Sequence, residues 1–581
     1  MNSWNKTFEK FTKEEAWFIE PFFTNLDKNV FAAKYLPSEV LGALASRYSR
    51  STKGVRRLFF DEYVKPILEP DLEGVTKSEA RQAEVMKKEL VTFVDYLHKH
   101  GGWEKVVNSK RARGFFEKWL AAYGDDSIAQ MAGAHLFLEN ISNVATKVLE
   151  DFRIGFAPLE KSTRYVLFDQ KINGRYPYFF EPDIVKSKHG KEYVRICNML
   201  FARYVAAIDP LSRMLTKFFP RESDQSDRAY RETIKAKTCD VLRFYLPAAT
   251  LTNVGFFGVG QSFEYVITKC MAHPLVEIRN LAGEAQAELK KVIPSLVGRA
   301  TSPRGRIYQR YVAATERELE KLTKKLLFEP VENSNSETSR LANTRSKNNM
   351  GSATVDLVEW DSDAEDKIIA SLLYKYSKLS YRQMKEQVAL FSSEQKLSII
   401  KKAVLRRKVR QHRLIRAFEN TYYKFDIVAN LGAYRDLHRH RMLTQERQRF
   451  TTELGFDIPT DLVRFKLEKP YVDACYKIDK FYNKIKNRFP DQAQYVVMMG
   501  HRIRWYQWQN LRELAWETEL RTGPQGHPDY RKIEQLKVEA VRKIHPALAS
   551  ALKFVDFGEY NLARRESEKR IDKKLGLIKR I

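Results

Sequence analysis

The sequence predicts an α+β protein in which helices predominate. Apolar residues recur at helical intervals, with charged residues between them, over residues 310–328 and again in KIEQLKVEAVRKI, a helix that Pro546 is expected to end before a second begins. Shorter β-rich runs intervene at 163–169 and 421–428, and the second alternates apolar with polar residues. Long helices separated by short strands indicate the α+β class.

The chain is long enough for more than one domain. It has 581 residues, 43% of them hydrophobic, and a single core rarely grows beyond ~250–300 residues. The Asn- and Ser-rich segment 332–352 lacks periodicity, which is typical of a flexible linker. We therefore predict an N-terminal helical extension (1–100), a first domain (101–331), this linker and a second domain (353–581).

The strongly basic composition favours anionic partners. Lys and Arg number 101 against 73 Asp and Glu, a net charge of +28. Nucleotides, nucleic acid and other phosphorylated or polyglutamylated molecules all fit this excess, and so does a role in solubility alone. The run RRKVRQHRLIR (406–416) is the strongest candidate for a nucleic-acid contact, although a charged helix face or a subunit contact is the favoured interpretation.

Nothing in the cysteine pattern or the N-terminus indicates secretion or a membrane. None of the four cysteines forms a Cys-x-x-Cys pair, the first residues lack the apolar core of a signal peptide, and no apolar run approaches ~18 residues. We expect a soluble, cytoplasmic protein without disulfides. His438 and His440 diverge on a helix and lack a surrounding ligand set, so no metal is assigned.

The two halves of the chain resemble each other. Ile141 to Arg153 and Ile427 to Arg439 span the same number of residues in similar surroundings, and LVEIRNLAGEAQAELKKVIP parallels PDYRKIEQLKVEAVRKIHP. Duplication of one ancestral domain explains these matches more simply than chance. The glycines of GFFGVG (255–260) are not followed by Lys-Ser/Thr, so we interpret them as loop glycines and not as a phosphate loop.

The most informative motif is Arg439-His440-Arg441, which is followed at a distance by Asn510-Leu511-Arg512 and then by Arg521. In this order and spacing the motifs resemble the signature of the flavin-dependent thymidylate synthases. The resemblance covers roughly 115–295 and 410–550. It implies two copies of a domain in which helices pack on an antiparallel sheet.

The resemblance assigns the second copy to the flavin and the base. It implies that FAD is bound by Arg439, His440, Arg441, Asn510 and Arg512 and that Arg439 also contacts the substrate dUMP. The last arginine, here Arg521, meets the uracil ring and is the catalytic candidate. A guanidinium keeps its proton and can therefore stabilise negative charge that develops on the ring.

The first copy retains the complementary part of the signature. In LEKSTRY and RFYLP it keeps Glu160, Ser162, Arg164 and Arg243, which in the family hold the phosphate and sugar of dUMP. A hydroxyl and two arginines suit a phosphate dianion through charge-assisted hydrogen bonds. We therefore hypothesise one composite site to which both copies contribute.

The implied reaction is the reductive methylation of dUMP to dTMP with FAD as cofactor and NADPH and 5,10-methylenetetrahydrofolate as cosubstrates. Because family members are homotetramers, a duplicated chain is expected to form a homodimer. The family's Glu-His pair is replaced by Gln130-Met131 and Glu419-Asn420. Two alternatives therefore stay open: a flavoenzyme that modifies another pyrimidine, free or in nucleic acid, and a nucleotide-binding protein that has lost catalysis.

Overall fold

The computed structural model describes residues 9–71, 73, 76–101, 130, 132–328 and 353–576, so the predicted linker 332–352 lies outside the described residues. The chain forms two compact units. The first comprises the described parts of 1–195 and 248–349, and the second those of 196–247 and 350–581. Residues 196–247, which we assigned from the sequence to the first domain, thus pack with the second unit.

Helices make up most of the described residues, which confirms the predicted predominance. Twenty-three α-helices are described: α1 Lys13–Ile19, α2 Ser38–Tyr48, α3 Val55–Phe59, α4 Lys65–Leu68, α5 Lys77–His100, α6 Asn143–Glu150, α7 Pro182–Val185, α8 Gly190–Phe218, α9 Asp227–Leu242, α10 Gly260–Met271, α11 Val276–Leu289, α12 Pro294–Val297, α13 Pro303–Phe328, α14 Ala364–Tyr374, α15 Tyr381–Ala389, α16 Ser393–Val404, α17 Leu431–Leu437, α18 Thr460–Arg464, α19 Lys469–Ile485, α20 Leu511–Arg521, α21 Pro528–Ile544, α22 Pro546–Ala549 and α23 Arg565–Lys574. Short 3₁₀ turns occur at Glu20–Phe22, Arg243–Tyr245, Arg299–Thr301, Arg416–Glu419 and Gln492–Val496, and a π-helical turn at Phe60–Val64. None of the helices in the described part of the chain combines the length and the apolar character that crossing a membrane requires.

Each unit contains one antiparallel sheet of four strands, and the two sheets have the same topology. The strands are β1 Val30–Ala32, β2 Gly133–Ser142, β3 Phe156–Glu160, β4 Leu251–Val259, β5 Thr354–Trp360, β6 Tyr422–Asn430, β7 Leu443–Arg447 and β8 Arg502–Asn510. Their spatial orders are β1-β2-β4-β3 and β5-β6-β8-β7. This equivalence confirms the predicted fold of two similar α+β domains.

The mostly helical N-terminal residues also complete the first sheet. Strand β1 pairs with β2, and the ring of Phe31 stacks on that of Phe137 at 5.7 Å between centroids. Arg56 lies 3.8 Å above the Phe31 ring and forms a buried ion pair with Glu139. The N-terminal helices therefore share an apolar core with the sheet of the first unit.

The central strands of the second sheet follow the alternation seen in the sequence. Along β6, Tyr423, Phe425, Ile427 and Ala429 are fully buried, whereas the residues between them are partly exposed. A half-buried strand has this pattern because successive side chains point to opposite faces. The predicted strand at 421–428 is confirmed, and so is the helical break at Pro546, which begins α22.

Equivalent capping contacts relate the two units. Ser142 caps α6. Its backbone N–H and its hydroxyl both donate to the carboxylate of Glu277, at 2.9 and 2.6 Å. Asn430 caps α17 and its amide donates to Asp529 at 2.6 Å. In each unit a strand thus turns into a helix where a carboxylate from a later helix binds the cap residue, which supports the duplication.

Residues 243–247 fit into the core of the second unit. The ring of Tyr245 packs edge-on against Tyr471 at 5.1 Å, and Pro247 forms an antiparallel bridge with Met498. At Gly500, a Cβ atom would lie 2.9 Å from the Phe244 ring, so only glycine allows this close approach. These contacts place Arg243, which directly precedes them, inside the second unit.

Two local predictions are wrong. The segment 163–169 is a turn and not a strand, because the Ser162 hydroxyl accepts from the Arg164 backbone N–H at 3.2 Å and the Ser162 carbonyl accepts from Val166. The glycines of 255–260 do not form a loop: they lie in β4 and at the start of α10. A Cβ at Gly255 would lie 2.9 Å from the Phe137 ring, so the aromatic packing of this sheet requires glycine there.

Candidate functional site

The six residues that the resemblance assigns to flavin and base in the second copy line one cavity of about 360 Å³ within the second unit. They are Arg439, His440, Arg441, Asn510, Arg512 and Arg521. The Arg-His-Arg group follows α17 and precedes β7, whereas the others lie at the two ends of α20. The cavity therefore forms where the connection from α17 to β7 meets the two ends of α20.

Asn510 fixes the corner between β8 and α20. It is the last residue of the strand and the N-cap of the helix, and its Oδ1 accepts from the backbone N–H of Glu513 at 2.9 Å. An asparagine cap satisfies an otherwise unpaired helical N–H. The corner holds Arg512 and Glu513 at the cavity.

A chain of three side chains connects the Arg-His-Arg group with the end of α20. Arg521 Nε donates to His440 Nε2 at 2.9 Å, and His440 Nδ1 lies 3.1 Å from Glu513 Oε1. Because Nε2 accepts, the imidazole is neutral and carries its proton on Nδ1, from which it donates to Glu513. His440 is buried, so these bonds fix the orientation of the Arg521 guanidinium.

Two ion pairs anchor the basic segment 406–416 along this cavity. Arg407 binds both carboxylate oxygens of Glu519, at 3.0 and 2.7 Å. Arg512 donates to the Leu414 carbonyl at 2.7 Å and to Glu419 at 2.8 Å. The segment follows α16 without a helix of its own until the short 3₁₀ turn that begins at Arg416. The expectation of a charged helix face is therefore wrong, whereas the expectation of a subunit contact stays a prediction.

The same segment supplies cavity residues that the sequence analysis did not identify. The guanidinium of Arg413 lies 4.0 Å from the ring of Trp516 and that of Arg410 lies 5.4 Å from it. Nη1 of Arg410 is buried and has no hydrogen-bond partner among the described residues. Since guanidinium groups stack through their faces, their N–H groups stay available in the plane of each group to bind an oxyanion.

The cavity carries a large excess of positive charge. Seven arginines and three glutamates line it, an excess of four with His440 neutral. The arginines are Arg407, Arg410, Arg413, Arg439, Arg441, Arg512 and Arg521. So many cations around one cavity favour a ligand, or a pair of ligands, with several negative charges.

Arg243, the arginine expected at the phosphate, is almost fully buried in the second unit. Its Nη1 donates to Asp436 of α17 at 2.9 Å, and its Nε lies against the start of the same helix at Gly432. Its Nε and Nη2 have no hydrogen-bond partner among the described residues. Buried guanidinium nitrogens in this state are typical of an arginine that binds an anion.

The other three predicted phosphate residues belong to the first unit. Glu160, at the end of β3, is buried and accepts from Lys147 Nζ at 3.0 Å, and Lys147 also pairs with Glu150. Ser162 forms the turn described above, and Arg164 is buried beside it. Their predicted role in binding dUMP stays a prediction.

The four cysteines are free and buried, and burial raises the pKa of the Cys270 thiol far above its usual value. A thiol in that state is a poor nucleophile. Among the residues that the structure describes, no group of three or more His, Cys, Asp or Glu side chains is arranged to hold a metal ion.

Comparison with known proteins gives three kinds of match. The sequence profile of the thymidylate synthase complementing protein family matches residues 75–295 and 356–547. A relative from Chlamydia pneumoniae, named UPF0159 protein, is 38% identical over 564 residues, which cover 97% of this chain and 98% of the relative. The flavin-dependent thymidylate synthase of Clostridium tetani is 26% identical over 182 residues, 31% of this chain and 68% of that protein.

Among solved structures, the UMP/dUMP methylase PolB from Streptomyces cacaoi bound with 5-Br dUMP shares 19% sequence identity with this chain. The match covers 35% of this chain and 94% of PolB, with a TM-score of 0.27.

Proposed function

Because the chain belongs to the thymidylate synthase complementing protein family, we propose that it is a FAD-dependent thymidylate synthase-like enzyme that converts dUMP to dTMP. Family membership confirms the resemblance that the sequence motifs indicate. In the proposed reaction C5 of uracil loses a proton and gains a methyl group, with 5,10-methylenetetrahydrofolate as the one-carbon donor and NADPH as the reductant.

The observation that carries the proposal is the convergence of the six motif residues on one cavity. They come from two segments that are far apart in the sequence, and neither segment alone distinguishes a cofactor site from a solvated basic surface. Two hydrogen bonds, one between Arg521 and His440 and one between His440 and Glu513, tie the segments together. Convergence of this kind supports a preorganised binding site.

The charge of the cavity fits the proposed ligands. A flavin dinucleotide carries about two negative charges on its diphosphate, and the phosphate of dUMP adds close to two more at neutral pH. The excess of four positive charges on the cavity lining favours both ligands, and the phosphate of dUMP is assigned below to Arg243, which lies outside that lining. Arg410, with its unpartnered Nη1, and Arg413 suit the diphosphate, whereas Arg521 is proposed to face the pyrimidine.

When bound, a reduced flavin supplies the electrons for the methylation. The contribution of Arg521 is electrostatic: its Nε is bound to His440, which leaves the terminal nitrogens to donate to a uracil oxygen and to N3. A fixed guanidinium stabilises the negative charge that develops on the ring without reorganising during the reaction. No cysteine is needed for this chemistry, which agrees with the buried thiols.

Phosphate binding is the proposed role of Arg243. The two unpartnered nitrogens of this arginine offer donors to a dianion, and Asp436 holds the guanidinium in place. We expect Arg243→Gln to abolish dUMP binding, measured by titration calorimetry, and Arg164→Gln to weaken it. The matched control is Arg504→Gln, since Arg504 is an exposed arginine of β8 that pairs only weakly with Asp426 at 3.7 Å.

Release of tritium from [5-³H]dUMP tests the activity itself. With reduced flavin and the folate we expect the full-length protein to release tritium, and Arg521→Gln to lose this activity at least ~100-fold. Arg504→Gln again serves as the control. Unchanged release by Arg521→Gln would contradict the assigned role.

The same assay separates the two alternatives. A protein that binds flavin but releases no tritium from dUMP, and whose dUMP binding is displaced by single-stranded RNA or DNA, would be a flavoenzyme for another pyrimidine. A protein that retains dUMP but neither binds flavin nor releases tritium would be a nucleotide-binding protein without catalysis. The second alternative is supported by residues 419–420, where the family's Glu-His pair is Glu419-Asn420. There Glu419 forms an ion pair with Arg512, and the histidine is replaced.

A further inference from the structure

The second half of helix α13, in the first unit, is exposed to solvent. The first turns of this helix are held in place, since Gln309 donates to the Ala300 carbonyl at 2.7 Å and Val312 is buried. Over the described residues 314–327, by contrast, no side chain is buried. A helix in a globular protein gains most of its stability from a packed apolar face, so this half of α13 lacks such packing within the described part of the chain.

Three leucines give the exposed half an apolar face. The side chains of Leu319, Leu322 and Leu326 are 54%, 48% and 63% exposed. They follow one another at intervals of three and four residues, and Thr315 precedes them by a further four, so all four lie on one face of the helix. This leucine row (Thr315, Leu319, Leu322 and Leu326) has the heptad spacing of helices that pair with other helices. Single exposed leucines need no explanation, whereas a row with this spacing predicts a helical partner.

Charge is divided unequally along the same segment. Apart from Arg317, its charged residues are glutamates in the first part and lysines in the second: Glu316, Glu318 and Glu320, then Lys321, Lys324 and Lys325. Lys324 Nζ lies 3.1 Å from Glu320 and Lys321 Nζ lies 3.6 Å from Glu318, pairs that stabilise the helix itself. A second copy of the segment in the opposite direction would bring its lysines beside these glutamates, whereas a copy in the same direction would bring like charges together. Charge complementarity therefore favours an antiparallel second copy.

We propose that the leucine row pairs in antiparallel orientation with the leucine row of a second copy of this chain. In the register that buries the whole row, Leu319 faces Leu322 of the second copy and Thr315 faces its Leu326. Each of these layers occurs twice, because a two-fold axis relates the two helices. In this register Glu318 lies beside Lys325 of the second copy, on the flank of the apolar layers. The row is therefore complementary to itself in its apolar spacing and in its charge.

Two further observations favour this occupant. Because the first turns of α13 are anchored to the first unit, antiparallel pairing places the first units of the two copies at opposite ends of the paired helices, whereas parallel pairing would bring them side by side. The sequence that follows offers little to cover the row, since between residues 332 and 352 the only large apolar residues are Leu341 and Met350. The pairing would give the homodimer expected from the sequence an interface. It uses no residue of the cavity lining and does not depend on the proposed function.

Sedimentation velocity of the full-length protein at increasing concentrations measures the pairing. Because four apolar layers make a small interface, we expect a reversible dimer with a micromolar dissociation constant. Leu319→Lys/Leu322→Lys puts charges into the central layers and should weaken dimerisation at least ~10-fold. The matched control is Leu390→Lys/Leu405→Lys, which adds the same charge at two leucines of the second unit that are 79% and 65% exposed. This control should dimerise like the unaltered protein.

Charge exchange tests the direction of the pairing. Glu318→Lys and Lys325→Glu each create two contacts between like charges across the pair, so each should weaken dimerisation roughly 3-fold or more. The double variant Glu318→Lys/Lys325→Glu restores two contacts between opposite charges and should recover the affinity of the unaltered protein. Glu320→Lys is the control, because it breaks an intrahelical pair of the same kind on a face turned away from the leucine row. It should leave dimerisation nearly unchanged.

Every substituted position is exposed or partly exposed, so far-ultraviolet circular dichroism should show unaltered folding in each variant. A full-length protein that stays monomeric far above micromolar concentration would overturn the inference and leave the leucine row to a partner of another kind. So would a Leu319→Lys/Leu322→Lys variant that dimerises as tightly as its control, or a charge-exchanged double variant that dimerises no more tightly than the single variants. Weakening by the leucine changes together with recovery in the double variant would establish the antiparallel pair.

Discussion

At the scale of single residues, the cavity depends on which of its arginines already have a partner. Arg407 and Arg512 are each held by a glutamate, and Arg521 is oriented by His440. Arg410 and Arg413 instead stack on Trp516, which leaves their donors for a ligand. We therefore assign Arg407 and Arg512 to the architecture of the site, Arg521 to the pyrimidine, and Arg410 and Arg413 to the diphosphate of the flavin.

This assignment predicts the effect of Arg410→Gln/Arg413→Gln on flavin binding. Loss of two charge-assisted contacts with the diphosphate should weaken FAD at least ~10-fold and reduce the dependence of its affinity on salt. Fluorescence titration with FAD at several salt concentrations measures both. Arg416→Gln is the control, because Arg416 belongs to the same basic run but is 87% exposed and is not part of the cavity lining. Equal losses in the double variant and the control would refute the assignment.

The sequence identified the motif residues but not Arg410, Arg413 and Trp516. Arg439, His440 and Arg441 are recognisable because their order and spacing are those of a known signature. The basic run was visible too, yet charge alone does not distinguish a solvated surface from a cavity wall. Its position depends on the pairs Arg407–Glu519 and Arg512–Glu419, which join residues about a hundred positions apart.

At the scale of elements, the corner between β8 and α20 determines where the cavity forms. Asn510 ends the strand and caps the helix through a single side-chain oxygen. The equivalent position in the first unit, Val259, has no side chain that can cap α10. The two copies of the fold thus differ where one of them carries the motif.

Replacement of the cap at Asn510 should lower the stability of the second unit. We expect Asn510→Ala to lower the free energy of unfolding by about 1 kcal/mol, since one helical N–H loses its acceptor. Asn510→Asp keeps an acceptor and should retain most of that stability. Urea denaturation followed by circular dichroism measures the difference. An alanine variant as stable as the aspartate variant would show that the cap contributes nothing.

The buried carboxyl group of Glu534 makes a second prediction at this scale, about pH. Its pKa in the folded protein is raised from the ordinary value of 4.5 to about 8, so between these values the folded protein holds a proton that the unfolded chain has lost. Its contribution to stability is therefore complete below about pH 4.5 and is lost as the pH rises towards 8.

Glu534→Gln keeps a neutral side chain at every pH and removes this loss. Relative to the unaltered protein, its free energy of unfolding should increase by on the order of 3 kcal/mol from pH 5 to pH 8. Chemical denaturation across that range tests the trend. Glu539→Gln, at a partly exposed position of the same helix, should show no comparable trend. Parallel curves for Glu534→Gln and the unaltered protein would contradict the ionisation state inferred for Glu534.

Elements were predictable where a pattern was local. The alternation in β6 and the periodicity of α13 predicted both elements correctly. Burial of one face places apolar residues at regular intervals along the same short segment, so the pattern is visible in the local sequence. The strand expected at 163–169 failed because the hydroxyl and carbonyl of Ser162 bind nearby backbone N–H groups, a competition that β-propensity does not include. The glycines of β4 were predicted to lie in a loop because the reason for glycine at 255, the ring of Phe137, lies on another strand.

At the scale of the whole molecule, duplication explains the two sheets of equal topology. Each half of the sequence retains a different part of one signature, and the single composite site that this suggests stays a prediction. The sequence revealed the duplication through matched spacings. It did not reveal that residues 196–247 pack with the second unit, because that packing depends on contacts such as Tyr245 with Tyr471 that are distant in sequence.

This division of the chain predicts which fragments fold. The domain predicted from the sequence, 353–581, lacks the segment that covers Tyr471, Met498 and Gly500, so these buried groups would be exposed to water. We expect this fragment to show little near-ultraviolet circular dichroism and no cooperative thermal transition, as is typical of a chain that has lost specific packing.

The matched test supplies the missing segment. Residues 196–247 joined through a flexible linker to 353–581 should restore the near-ultraviolet signal and a cooperative transition, because Phe244, Tyr245 and Pro247 again fill the core beside Gly500. Replacing Tyr245 by alanine in the joined chain should remove most of that gain, since its ring is buried against Tyr471. If the fragment 353–581 alone unfolds cooperatively with an intact near-ultraviolet spectrum, residues 196–247 are not needed for the second unit to fold.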